Sequence, residues 1–195
     1  MTGPAAVSPL SPVAAKAAAR IRRLLAEMQE GSWFAALGEP ATEGERAEVA
    51  LYLEGSGLGH CAVDWLHDWA AARDISRSAD WDHAWWEGEQ GRQRTLYEAA
   101  AAAFDESVLL RLLTDVTDAA GRLLHGPAAV AAAARGVADP GLIRAAAGAA
   151  AQAAYQAALA RLALAGADHP FAAKFRLYLA GRWPLIVARG RFSIL

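Results

Sequence analysis

The side chains best suited to chemistry gather between positions 60 and 87. His60, Asp64, His67 and Asp68 come first, and Asp80, Asp82, His83 and Glu87 follow. Imidazole with carboxylate is a ligand set for iron, zinc or manganese, and i, i+3, i+4 spacing on a helix points such groups the same way. A divalent metal on His60, Asp64, His67, His83 and Glu87 is one expectation, and with it a small-molecule, metal-dependent enzyme. The competing expectation is a solvated polar face with no cofactor. At ~100° per residue, His60, Asp64 and His67 fall opposite Trp65 and Trp69, while His83 and Glu87 fall opposite Trp81, Trp85 and Leu96. His83–Glu87 and Arg94–Glu98 are i, i+4 pairs of the kind that stabilise an exposed helix. The bland reading is preferred, so catalysis is left open.

Five of the seven tryptophans lie in the same stretch: Trp65, Trp69, Trp81, Trp85 and Trp86. Tryptophan at helical spacing fills cores, but adjacent Trp85 and Trp86 cannot both face one interior, and each buried indole N–H needs a partner. One of the pair is therefore a candidate ligand or partner contact. From position 169 to the end there are five basic residues and no acid, whereas positions 80–118 hold nine acids against three arginines. Opposite fields would steer the tail onto the acidic helices of its own chain or of a second copy. Arg182 and Trp183 in that tail extend the candidate contact surface. The preferred function is a non-catalytic helical binding or interaction protein. Its partner is expected to be a protein or a small-molecule ligand, with a homo-oligomer as an option and no nucleic acid or membrane.

These residues must be positioned by helices. Ser11-Pro12 starts one that Gly31 stops, with Lys16, Arg20 and Arg23 on its outer side, where a solvated face is weighed against a surface for an acidic partner. Thr42-Glu43-Gly44-Glu45 is a capping box opening a helix to about Glu54. Helices are expected over 58–73 and 79–104, the second capped by Ser78. Leu109, Leu113, Val116 and Ala120 mark another over 106–125 at the 3.6-residue period. A short one runs 128–135, an alanine-rich one from Pro140 to Ala165, and one over 171–180. The alanine-rich helix is expected at the centre, because small side chains let neighbouring backbones approach. Leu185–Val187 and Phe192–Leu195 look like short extended runs around Arg189-Gly190-Arg191, and are too apolar to stay in water. The expected fold is all-α: one bundle of about six to eight helices spanning 11–195, with a flexible arm over 1–10 and an extended C-terminal tail over 182–195.

Composition narrows the classes. The 195 residues are 55% hydrophobic and 21% charged, which excludes a disordered chain. A net charge of -2 argues against a dedicated nucleic-acid binder. Alanine-rich, lysine-poor usage is bacterial-like and suggests a GC-rich genome. The single Cys61 excludes an internal disulfide or a cysteine zinc cluster. It neighbours His60, but adjacent helical residues diverge by ~100°, so a buried thiol is expected rather than a nucleophile–base pair. His125 and His169 are expected at helix ends. Gly55-Ser56-Gly57-Leu58-Gly59 reads as a helix breaker, since no phosphate-loop lysine follows it. No signal peptide is visible and the longest uncharged run, 145–160, is too short to span a bilayer, so cytoplasmic residence is expected.

Overall fold

The computed structural model describes residues 12–195. The expected N-terminal arm over 1–10 therefore lies outside the described residues. Eight helices and three short strands are present among them: α1 Pro12–Glu30, α2 Glu43–Gly55, β1 Ala62–Trp65, α3 Trp69–Ser76, α4 His83–Ala103, α5 Glu106–Leu123, α6 His125–Ala133, α7 Pro140–Leu162, α8 Pro170–Leu179, β2 Pro184–Ala188 and β3 Arg191–Ile194. The fold is mostly helical, as expected, with one small sheet.

Most helices start where their side chains satisfy free backbone N–H groups. Thr42 and Glu45 form the full capping box of α2. Asp139 Oδ1 accepts from the N–H groups of Gly141 and Leu142, with Pro140 in the first turn of α7. α7 is central. Its alanine-lined buried faces pack against α1, α4, α5, α6 and α8, and alanine adds no side-chain entropy cost on ordering.

α8 divides the interior. Phe171, Phe175 and Tyr178 recur at i, i+4, i+7 and face the larger core built on α1 and α3–α7. Ala173 and Leu177, spaced by four, face a second core of Val49, Tyr52, Leu53, Trp85, Val187, Phe192 and Ile194. Lys174 is the residue between them, and it is buried.

Two expectations need correction. There is no helix over 58–73: Ala62–Trp65 is strand β1, pairing in parallel with β3, and a helix begins only at Trp69. Val63 and Trp65 suit a pleated strand better than a helix, and β3 offers a complete row of backbone partners. The true cap of α3 is Asp68, whose Oδ1 accepts from Ala71 N–H at 2.8 Å. Likewise α4 starts at His83, not at 79, and Asp82 rather than Ser78 caps it by accepting from Trp85 N–H at 3.0 Å. The C-terminal runs are extended and docked, as expected. β2 and β3 form an antiparallel hairpin, and the sheet order is β1-β3-β2. The hairpin turns on Arg189 and Gly190, both at positive φ (51° and 71°), as a two-residue turn matched to strand twist requires. The tail thus docks on its own chain.

Candidate functional site

Trp85 and Trp86 split as their adjacency demands. Trp85 is buried, while Trp86 is 43% exposed, the most open tryptophan. They flank a cleft of about 520 Å³ between α4, α7, α8 and the start of β2. Gln90 and Gln93 on α4 and Gln152 on α7 line it, with Tyr178, Leu185 and the Glu89–Lys174 pair below.

The floor is a buried ionic network. Lys174 Nζ donates to Glu89 Oε1 at 3.0 Å and Oε2 at 2.8 Å. Tyr52 O–H donates to Glu89 Oε1 at 2.8 Å, and Trp85 Nε1–H donates to the Tyr52 oxygen at 2.8 Å. Four residues from α2, α4 and α8 are thereby joined, and Trp85 is fixed at its polar end. Tyr178 O–H donates to the Pro184 carbonyl at 3.1 Å, tying β2 to the same region. Burial, reinforced by the Glu89 carboxylate, pushes both the Tyr52 and Tyr178 phenols well above their ordinary range. Both remain protonated donors at neutral pH.

Above this floor the hydrogen-bonding groups are neutral amides. Gln93 Oε1 accepts from Gln152 Nε2 at 2.7 Å and from Gln156 Nε2 at 3.3 Å. Among the described residues, that leaves the Gln93 NH₂ group, the Gln152 carbonyl and the whole Gln90 amide without a protein partner. The charges below cancel, so the cleft offers an indole face and amide edges with no net charge.

The other expected site residues lie elsewhere. Arg182 and Trp183 are not a contact surface; both are buried. All five Arg182 N–H groups are used: Nε and Nη2 on Glu45 at 2.7 and 2.9 Å, Nη1 on the Ala36 and Glu39 carbonyls, Nη2 on the Pro40 carbonyl. On Glu45, burial works to raise the pKa, but the Arg182 and Thr42 hydrogen bonds outweigh it and hold the carboxyl below its usual range. Trp183 packs on Trp69 at a centroid distance of 5.3 Å. The other basic residues of the tail are also paired internally: Arg176 with Glu48, Arg189 with Asp80, and Arg191 with Asp64.

His60 and His67 are exposed on either side of β1, and Asp64 sits on the strand facing Arg191. His83 stacks on Trp81 at 4.0 Å and Glu87 faces solvent on α4. Because 58–73 is not a helix, the spacing that aligned His60, Asp64 and His67 does not apply. Among the described residues, no group of three or more His, Cys, Asp or Glu side chains could hold a metal ion. Cys61 is buried, and its desolvation, with Asp82 adding to it, raises its thiol pKa; a thiol so placed is less nucleophilic. His169 caps α8, its Nδ1 accepting from Phe171 N–H at 3.1 Å. His125 is exposed at the α5–α6 junction. Among the described residues, no helix is long and apolar enough to cross a membrane.

Sequence reasoning singled out Trp85 and Trp86, which line this cleft, but not Glu89 and Lys174, which line it too. One signal was available: Lys174 is one of only two lysines in the chain and stands inside the apolar run Phe171–Leu179. Comparison with known protein families, curated proteins and solved structures gives no match for this chain.

Proposed function

We propose that the protein is a non-catalytic small-molecule-binding protein whose ligand occupies the Trp85/Trp86 cleft. The observation that carries this reading is the half-open Trp86 indole beside unpartnered amide groups, above an ion pair that neutralises itself. Such a lining favours a neutral, planar ligand that stacks on Trp86 and hydrogen-bonds edge-on to Gln90 and Gln93. Binding is favoured over catalysis because the titratable groups at the floor are committed. Lys174 and Glu89 hold each other, and the two phenols keep their protons. The lone buried thiol suits a reducing compartment, and the cytoplasm is the compartment we propose.

The test is tryptophan fluorescence titration with two neutral planar probes, adenine and nicotinamide. Saturable quenching at or below about 1 mM is expected, lost in Trp86→Ala and weakened in Gln93→Ala. Quenching that rises linearly with probe, or that survives Trp86→Ala unchanged, would sink the reading.

A further inference from the structure

A second cleft lies beside α1. It measures 380 Å³ and is lined by Arg20 and Arg23 on α1, by Arg161 at the end of α7, and by Arg176 on α8. Glu27 is the one acidic residue of that lining. Arg161 is paired with Glu27, and Arg176 with Glu48 and the Ala167 carbonyl. Those pairs hold both side chains in place yet leave each guanidinium with unused N–H groups, since a guanidinium carries five donors. Among the described residues, no carboxylate pairs with Arg20 or Arg23. The cleft therefore has two preorganised arginines on one wall and two uncompensated ones on the other.

We infer that this cleft is a binding site for a small anion carrying two or more phosphoryl groups. The walls are different helices, so their guanidiniums reach the interior from different directions. A phosphoryl group presents three oxygens in three directions and can accept from both walls at once, whereas a carboxylate accepts mainly in its own plane. Two phosphoryl groups supply enough negative charge for Arg20 and Arg23 together. A volume of 380 Å³ suits a small anion rather than an extended acidic chain. This site is separate from the Trp85/Trp86 cleft and does not depend on it.

The experiment is isothermal titration calorimetry of the full chain with inorganic pyrophosphate, at an ionic strength of about 50 mM so that screening stays modest. Saturable one-to-one binding is expected. In an Arg20→Gln/Arg23→Gln variant it weakens by about tenfold or more, as loss of charge-assisted hydrogen bonds requires. Arg22→Gln removes the same charge from the same helix outside the cleft, and should leave the affinity unchanged. Both substitutions spare the buried α1 residues Ala17, Ile21 and Leu24, and circular dichroism checks folding. Trp86→Ala should also bind pyrophosphate as the wild type does. Absence of saturable heat, equal weakening by Arg22→Gln, or an unaffected double variant would each overturn the site. Citrate binding as tightly as pyrophosphate would overturn the phosphoryl assignment.

Discussion

Replacing Lys174 by Met isolates what the buried ionic network contributes. Met keeps the unbranched stem in place between the two cores and removes only the charge. Glu89 then loses both of its lysine contacts, at 3.0 and 2.8 Å, and keeps the Tyr52 hydroxyl alone. Glu89 is 1% exposed, so its carboxylate depends on these partners for most of its stabilisation. Removing one member of a buried pair costs about 3–5 kcal/mol, because an uncompensated charge is left behind. Against a total stability of about 5–15 kcal/mol, that is a large fraction. Lys174→Met combined with Glu89→Gln removes both charges and preserves a carbonyl acceptor for Tyr52. It should recover about 2 kcal/mol or more of the single variant's loss, since the pair's desolvation cost disappears with its attraction. Urea denaturation followed by far-ultraviolet circular dichroism measures both, and avoids Trp85 fluorescence, which the network itself perturbs. An unchanged slope would show that only stability moved. A single variant within about 0.5 kcal/mol of wild type, or a double variant no more stable than the single, would refute the assignment of this pair as a buried, mutually dependent unit.

Other perturbations separate packing from polar contributions. Trp69→Ala should cost about 3–5 kcal/mol in urea denaturation, as expected for a buried aromatic. Trp69→Phe should cost under about 1.5 kcal/mol, because the Trp69 Nε1–H is buried without an acceptor among the described residues and its deletion returns part of a desolvation penalty. His169 is depressed below its ordinary 6.5 by burial first and by Arg92 second, and its Nδ1 must stay unprotonated to cap α8. The unfolded chain therefore binds the proton more readily, so stability is full above pH 6.5 and falls as pH drops through the lower folded-state value. His169→Asn keeps a capping acceptor and should flatten that part of the pH–stability curve measured by thermal unfolding; an unchanged curve would remove His169 as the cause. Truncation after Gly181 deletes Arg182, Trp183 and both strands of the hairpin, and should abolish cooperative unfolding, whereas an intact melting transition would show the hairpin to be dispensable.

What was legible in the sequence was what local chemistry decides. The Thr42/Glu45 capping box, the apolar stripe of α5, the central alanine helix and the turn at Arg189-Gly190 each rest on residues close together in the chain. The misread segment was 58–73, where the deciding contact is far away. Four residues, Ala62–Trp65, carry too little pattern to distinguish strand from helix, and their partner β3 comes after six intervening helices. The same limit applied to the cleft. Trp85 and Trp86 announce a problem by adjacency alone, but Glu89 and Lys174 stand 85 positions apart and meet only because α8 divides two cores.

The charge pattern shows the same physics from the other side. A tail with five basic residues and no acid looks like a surface awaiting a partner, yet each of its cations has a carboxylate in the chain: Lys174 on Glu89, Arg176 on Glu48, Arg182 on Glu45, Arg189 on Asp80 and Arg191 on Asp64. Three of those acids come from α2 and β1 rather than from the acidic stretch over 80–118. Charge counts along the chain locate excess, but folding decides which excess is neutralised. α1 shows the opposite outcome. Its outer stripe looked like an ordinary solvated face, but at Arg20 and Arg23 the fold sets two further arginines across a cleft without supplying acids for all four. The uncompensated charge of Arg20 and Arg23 raises the energy of the empty cleft, and an arriving polyanion relieves it while taking up the unused N–H groups of the paired Arg161 and Arg176. That difference is why the cleft beside α1, to which the C-terminal segment contributes Arg176 alone, is the place to look for an anionic ligand.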